Sequence, residues 1–182
     1  MEQKDYKMEI VLELLNRQAH IRAIAEKLNI NHMMIVRKLN ELYKENVVDY
    51  RQEGKNRVYF LKKTIEAKSH VFSAENYKLS KCIKKHITLR KVIEKIQGDK
   101  RIKLAILFGS YAKGIAKQNS DIDVYVETND KGIKQELELI DSRLSIKIGK
   151  YNNSNLLIKE IEKNHVIIKG IETYYEKSKF FE

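Results

Sequence analysis

Residues 109–123 hold the side chains that are best suited to chemistry, in the order GSYAKGIAKQNSDID. Gly109 and Ser110 follow a short apolar run, residues 104–108, which predicts a buried strand ending in a turn. A helix that begins at such a turn has free backbone N–H groups, and these can hold a phosphate. The sequence therefore predicts a phosphate-binding turn at Gly109–Ser110.

Two aspartates, Asp121 and Asp123, open the next apolar run after a spacer of ten residues. Side chains two positions apart in a strand point to the same face of the sheet. Paired carboxylates are hard oxygen ligands, which suit a Mg²⁺ ion carrying a nucleoside triphosphate. We therefore expect the phosphate turn and a metal site at neighbouring strand ends.

This motif resembles that of the nucleotidyltransferases of the DNA polymerase beta-like superfamily. Their signature is an apolar residue, Gly-Ser, a spacer of this length and Asp-x-Asp in a strand. Residues 108–126 are most similar to the minimal nucleotidyltransferase group, whose spacer often reads Gly-Ser-aromatic-Ala-basic-Gly and ends in Ser-Asp-Ile-Asp. The resemblance extends over roughly residues 100–170.

The resemblance implies transfer of a nucleotidyl group, either AMP from ATP or the corresponding nucleoside monophosphate from another NTP, to a protein or nucleic-acid acceptor. Asp121 and Asp123 would then be the catalytic residues and the Mg²⁺ ligands. Gly109, Ser110 and Lys113 would bind the nucleotide. Minimal nucleotidyltransferases are often antitoxins, which implies a HEPN-type ribonuclease toxin as a partner. From the residues alone, two alternatives stay open: Ser110 as a simple helix cap and Lys113 as a solvated lysine.

One expected group is missing from the pattern. Active members of the superfamily usually carry a third carboxylate on the strand after Asp-x-Asp, where this sequence offers Ser145 and Lys147. Glu127 shares the face of the aspartates but lies too far along the strand. This departure favours an alternative hypothesis, a nucleotide-sensing transcription regulator without turnover. RNA-directed nucleotide addition is a third, less favoured possibility.

The N-terminal segment predicts three helices and a hairpin. Apolar residues recur at helical spacing over residues 5–17, 21–28 and 31–45, with Asn31 as the N-cap of the third helix. Two apolar runs then flank residues 52–56, which is typical of a β-hairpin. This order resembles the winged helix-turn-helix of MarR/ArsR-like transcription regulators.

The winged helix-turn-helix resemblance implies DNA binding, with residues 31–45 as the recognition helix and 51–57 as the wing. A homodimer is expected because two half-sites are usually bound together. A winged helix that serves only dimerisation or protein contact is the alternative. The predicted DNA-binding residues are His32, Met33, Arg37, Lys38, Lys55 and Arg57.

The distribution of charge agrees with a nucleic-acid partner outside the catalytic part. The formal net charge is +11, yet residues 104–182 hold 12 basic and 12 acidic residues. Residues 64–103 hold 11 basic and 4 acidic residues. Such a basic excess is typical of a nucleic-acid surface, although a solvated lysine-rich helix would look the same.

We predict an α+β chain with three parts: a winged helix-turn-helix at 1–63, a helical connector at 64–98, and a small α/β nucleotidyltransferase domain with a mixed sheet at 99–182. A cytoplasmic location without membrane contact is expected. No apolar run reaches the roughly 18 residues of a membrane span, and the first residues lack an export signal. The single Cys82 cannot form an internal disulfide.

Overall fold

The computed structural model describes residues 4–182, and the chain divides into two compact units. The N-terminal unit runs to Tyr77 and includes Phe181–Glu182, whereas the C-terminal unit is Lys78–Phe180. Residues 1–3 lie outside the described residues. They fall within the predicted 1–63 domain and within the N-terminus that is predicted to lack an export signal. The predicted boundaries at residues 63 and 98 stay predictions.

Three helices form most of the N-terminal unit, close to the predicted positions. They are α1 (Tyr6–Asn16), α2 (Ile21–Leu28) and α3 (His32–Lys44). The Asn31 side chain accepts a hydrogen bond from the Met33 N–H, so Asn31 is the N-cap of α3 as expected. Ile35, Leu39 and Leu42 form the buried stripe of α3.

A three-stranded antiparallel sheet completes this unit. Its strands are β1 (Ala19–His20), β2 (Val48–Glu53) and β3 (Asn56–Leu61), in the order β1-β3-β2. Gly54 has a φ of +58°, which a two-residue hairpin turn between β2 and β3 requires. The sequence analysis missed β1 because two residues carry no alternating pattern.

Two further helices follow the hairpin, as predicted for residues 64–98. α4 spans Ile65–Lys85, and α5 spans Arg90–Gly98 after a 3₁₀ turn at Ile87–Leu89. α5 buries one stripe, Val92, Ile93 and Ile96, in the hydrophobic core of the C-terminal unit.

The C-terminal unit is built on a mixed four-stranded sheet. Its strands are β4 (Leu104–Leu107), β5 (Ile122–Glu127), β6 (Leu144–Ile148) and β7 (Val166–Lys169), in the order β6-β5-β4-β7. β5 and β6 are parallel, whereas β4 is antiparallel to both β5 and β7. The prediction of an α+β chain with a mixed C-terminal sheet is therefore confirmed.

Short helices connect these strands: α6 (Gly109–Ala112), α7 (Ile133–Glu138), α8 (Leu156–Lys163) and α9 (Ile171–Lys177). The sequence also predicts a helix over residues 131–142, and the observed α7 is shorter than this range. Asp141 accepts a hydrogen bond from the backbone N–H of Arg143, and this turn replaces the last helical residues. α9 was not predicted. Within residues 4–182, no helix has the length and apolar character that crossing a bilayer requires.

Candidate functional site

The turn between β4 and α6 brings the backbone of Gly109 against Asp123. Gly109 has a φ of +66°, and a Cβ atom added there would lie 2.3 Å from Asp123 Oδ2. No other residue type fits this position, because the left-handed conformation and the contact both exclude a side chain. The predicted juxtaposition of the Gly-Ser turn and the Asp-x-Asp strand is thus present in the fold.

The helix after this turn is shorter than a phosphate-binding helix usually is. α6 has four residues and therefore little macrodipole, so any phosphate contact depends on backbone N–H groups and the Ser110 hydroxyl. Tyr111 anchors the turn, since it is buried and its ring centroid lies 4.9 Å from that of His86. Lys85 Nζ also donates to the carbonyl of Gly114 at 2.9 Å.

The two aspartates have different environments. Asp121 is exposed and lies just before β5, so the expectation that both aspartates lie within the strand was wrong by one residue. Asp123 is half-buried in β5. Burial, and then the negative charge of Asp121, raise the pKa of Asp123, while Lys147 and a hydrogen bond from Ser145 oppose this rise. A cation between the two carboxylates would relieve the repulsion.

The parallel register of β5 and β6 places Ser145 beside Asp123 and Lys147 beside Tyr125. Within residues 4–182, no group of three or more His, Cys, Asp or Glu side chains is arranged to hold a metal. The oxygen donors of Asp121 and Asp123 are nevertheless of the kind that Mg²⁺ prefers. Because Mg²⁺ commonly takes only one or two carboxylates beside substrate phosphates, this pair fits a metal that arrives with a nucleotide.

A carboxylate from α8 also acts on this site, and the sequence analysis missed it. Glu160 Oε1 lies 3.3 Å from Lys113 Nζ, and the charge of Glu160 contributes to the raised pKa of Asp123. α8 is fixed by its N-cap Asn155 and by buried Ile158 and Ile161. Lys113 therefore lies near the aspartates, but its ammonium group is paired with Glu160. No spacing in the sequence connects Glu160 to residues 109–123.

Glu127 and His165 have structural partners. Glu127 Oε1 lies 3.0 Å from Lys177 Nζ, at the far end of β5 from the aspartates. His165 is buried, with Nδ1 at 3.0 Å from the carbonyl of Ile161 and a ring contact to Tyr174. The contact of Glu127 agrees with its interpretation as too distant, and the contacts of His165 are those of a structural histidine.

In the N-terminal unit, a cleft of about 790 Å³ brings together part of the predicted DNA-binding set. His32, Lys55 and Arg57 line it, together with His20 and Arg22, which the sequence analysis did not select. The sequence offered a signal, because Arg22 stands outside the apolar stripe of residues 21–28, and the structure shows Arg22 exposed in the first turn of α2. The other lining residues are Ile21, Ala23, Glu26, Gln52 and Asn56.

The remaining predicted DNA-binding residues lie elsewhere on α3. Met33 is 69% exposed, and the exposed Arg37 contacts Glu41 at 3.3 Å. Lys38 does not share this exposed face, because its ammonium group lies 2.8 Å from Glu41 and its side chain is mostly covered. Lys38 is thus the least accessible of the six, since its position one residue after Arg37 turns it toward the body of the unit.

One family model matches most of the C-terminal unit. Residues 90–173 match the family described as Polymerase beta, Nucleotidyltransferase. The prediction of a nucleotidyltransferase domain in this part of the chain is therefore confirmed. The matched range begins with α5 and ends within α9, so it contains the whole mixed sheet of the nucleotidyltransferase domain.

Among the solved structures that are similar to the chain is "Crystal structure of the toxin-antitoxin with AMP-PNP". The identity is 23%, the TM-score is 0.37, and the match covers 49% of this chain and 76% of that one. No curated protein matches the chain.

The raised pKa of Asp123 predicts a gain in stability when the charge of its carboxylate is removed. We expect Asp123→Asn to raise Tm at neutral pH, because a buried carboxylate with a raised pKa destabilises the folded state whenever it is ionised. The gain should appear as the pH rises above the ordinary Asp pKa of about 3.9 and vanish below it, where the carboxyl is protonated in both states. Thermal denaturation of both proteins across this range measures the difference.

Asp121→Asn is the control for this prediction, since Asp121 is exposed. We expect a smaller rise in Tm for that variant, which removes the repulsion but no buried charge. A Tm for Asp123→Asn at or below that of the wild type at neutral pH would show that the ionised Asp123 carboxylate does not destabilise the folded state.

Proposed function

We propose that the chain is a Mg²⁺-dependent nucleotidyltransferase that transfers AMP from ATP. The observation that carries this proposal is the close approach of Gly109 to the Asp123 carboxylate, which brings the Gly-Ser turn next to one of the two proposed metal ligands. The family match of residues 90–173 supports the same reaction class. Asp121, Asp123, Gly109, Ser110 and Lys113 are the proposed site residues.

Four of these five residues have a defined role in this proposal. Gly109 lets the backbone approach the triphosphate, and the Ser110 hydroxyl donates a hydrogen bond to a phosphate oxygen. Asp121 and Asp123 would hold Mg²⁺, and that ion would neutralise part of the triphosphate charge. An acceptor hydroxyl oxygen then bonds to the α-phosphorus, the bond to pyrophosphate breaks, and the hydroxyl proton passes to solvent.

The proposed acceptor is a protein or a nucleic acid. The resemblance to minimal nucleotidyltransferases suggests a HEPN-type ribonuclease toxin, which would make the chain an antitoxin. That acceptor would gain the mass of one AMP group, so mass spectrometry of a co-expressed toxin candidate would identify it.

The reaction class is tested by the position of the label that reaches the acceptor. With Mg²⁺ present, we expect addition of the purified chain to an extract of the source cells to increase labelling from α-³²P-ATP and to leave labelling from γ-³²P-ATP unchanged. The Asp121→Ala/Asp123→Ala variant should transfer none. Transfer from the γ position alone would contradict the proposal, because it is phosphoryl transfer.

A second candidate function is a nucleotide sensor without turnover. The observation that favours it is the pair Ser145 and Lys147 on β6, where a third carboxylate is expected. In this case ATP would bind and change DNA affinity, but no pyrophosphate would form. Measuring pyrophosphate release beside ATP binding distinguishes the two functions.

We also propose that the N-terminal unit is a winged helix-turn-helix that binds DNA as a homodimer. The order of α1–α3 and the hairpin β2–β3 supports this fold, and the cleft lined by Arg22, His32, Lys55 and Arg57 offers cationic groups for phosphates. Regulation of transcription would follow if the bound DNA is a promoter.

Arg22 and Lys27 provide a matched test of DNA binding, since both are exposed on α2 but only Arg22 lines the cleft. We expect Arg22→Ala to weaken binding and to lower the slope of log K against log salt by about 1, the value for one lost phosphate contact. Lys27→Ala should leave the slope unchanged. Fluorescence anisotropy with a labelled duplex at several salt concentrations measures both. Equal slopes for Arg22→Ala and the wild type would exclude Arg22 from the interface.

A further inference from the structure

Arg143 holds the chain on both sides of Asp121. Its Nη1 donates to the carbonyl of Gln118 at 2.8 Å, and its own carbonyl accepts from the N–H of Ile122 at 2.8 Å. One of these hydrogen bonds lies three residues before Asp121 and the other lies one residue after it. A single residue outside the catalytic motif therefore fixes the backbone that carries this aspartate.

Asp141 in turn fixes the guanidinium of Arg143. Asp141 Oδ1 accepts from Arg143 Nε at 3.0 Å and Oδ2 accepts from Nη2 at 2.7 Å, a bidentate pair. The Asp141 side chain also accepts from the backbone N–H of Arg143, which sets the turn before β6. The planar guanidinium consequently has one orientation, with Nη1 directed at the loop.

Asp121 depends on this support because its own side chain has none. Within residues 4–182, the Asp121 carboxylate makes no hydrogen bond or ion pair, and the residue is exposed. The loop before it has one local turn, in which Lys117 N–H donates to Ser120 Oγ and Ser120 N–H to the Lys117 carbonyl. The position of the carboxylate is therefore set by the backbone alone, and Arg143 fixes that backbone.

The chain contains a second copy of this Asp-x-Arg turn, which shows what the turn does by itself. Arg101 makes the same three bonds to Asp99, from its backbone N–H, from Nε and from Nη2. Its remaining donors go to the exposed carboxylates of Asp130 and Glu136. Arg143 differs in that its remaining bond goes to a backbone carbonyl of the loop that carries Asp121.

We propose that Arg143, oriented by Asp141, is a positioning residue that holds Asp121 for binding of the nucleotide-bound Mg²⁺. This inference rests on the proposed function, since it assigns a role relative to that metal. Residues that orient a metal ligand typically change metal affinity by about 10–100-fold when they are removed. Arg143 acts on Asp121 through the backbone, so its loss should weaken metal-dependent binding without altering the identity of any ligand.

The experiment is calorimetric titration of ATP, with and without MgCl₂, into the full chain and its variants. For Arg143→Met we expect a Kd for ATP in the presence of Mg²⁺ that is about 10–100-fold higher than that of the wild type. The matched control is Arg101→Met, which removes an arginine from the same kind of turn and should leave the Kd unchanged. Amide hydrogen exchange of residues 117–121 should be faster in Arg143→Met only.

The outcomes separate this inference from the proposed function. If the wild type itself does not bind ATP with Mg²⁺, the proposed function fails. If the wild type binds and Arg143→Met binds equally well, or if both arginine variants lose affinity to the same extent, the positioning role is overturned. If Arg143→Met does not fold, Asp141→Asn replaces it in the test, because this variant keeps the guanidinium but weakens its orientation. An unchanged ATP affinity of Asp141→Asn also overturns the positioning role.

Discussion

Gly109→Ala is expected to abolish nucleotide binding while leaving the N-terminal unit folded. The added Cβ would lie 2.3 Å from Asp123 Oδ2, well inside van der Waals contact, and the backbone φ of +66° disfavours any side chain. Backbone strain of this kind costs about 1–3 kcal/mol, and about 1.4 kcal/mol corresponds to a tenfold change in an equilibrium constant. Displacement of Asp123 adds to that cost. We therefore expect a loss of ATP affinity well above tenfold, measured by calorimetry.

Two other glycines separate strain from steric contact. Gly54 and Gly114 have φ values of +58° and +73°, but a Cβ would meet nothing within 4 Å at Gly54 and only Lys85 Nζ, at 3.8 Å, at Gly114. Gly54→Ala should cost stability and leave ATP binding intact, and Gly114→Ala should have an effect between those of the other two. If Gly109→Ala binds ATP as well as Gly54→Ala does, the contact of Gly109 with Asp123 has no part in nucleotide binding.

Replacement of both aspartates is expected to have the second large effect. Asp121→Ala/Asp123→Ala removes both proposed metal ligands, and the remaining neighbours, Ser145 and Lys147, cannot replace two carboxylates. Loss of residues that merely orient ligands costs about 10–100-fold in metal affinity, so loss of the ligands themselves should exceed that range. Label transfer from α-³²P-ATP and Mg²⁺-dependent ATP binding should both disappear.

The control for this double variant is Asp130→Ala. Asp130 is an exposed carboxylate of the same domain. Its ion-pair partner is Arg101, which is not a residue of the proposed site. We expect it to retain ATP binding and transfer. Retention of Mg²⁺-dependent binding by the double variant would show that the metal is held elsewhere.

Much of the fold could be predicted because its elements have strong local patterns. The apolar residues at helical spacing over 31–45 predicted α3, and the apolar runs on either side of residues 52–56 predicted the hairpin of β2 and β3. The Gly-Ser and Asp-x-Asp spacing predicted a close approach that the fold contains at Gly109 and Asp123. These are cases in which local propensity and tertiary packing agree.

The features that were missed depend on long-range contacts. β1 exists because Ala19 and His20 pair with Tyr59 and Val58 of β3. Two residues are too few to show a strand pattern in the sequence. Glu160 approaches the site only because α8 packs nearby, 47 residues along the chain from Lys113. Arg143 contacts Gln118 because β5 and β6 are neighbours in the sheet. Such contacts follow from topology, which no single segment encodes.

The most direct measurement is calorimetric titration of ATP into the wild-type chain with MgCl₂ and again with EDTA. A Mg²⁺-dependent nucleotidyl site at Gly109, Asp121 and Asp123 predicts saturable binding with Mg²⁺ and a large loss of affinity with EDTA. Saturable binding of equal strength under both conditions would contradict the role of the aspartates as metal ligands. No binding under either condition would contradict the nucleotide site itself.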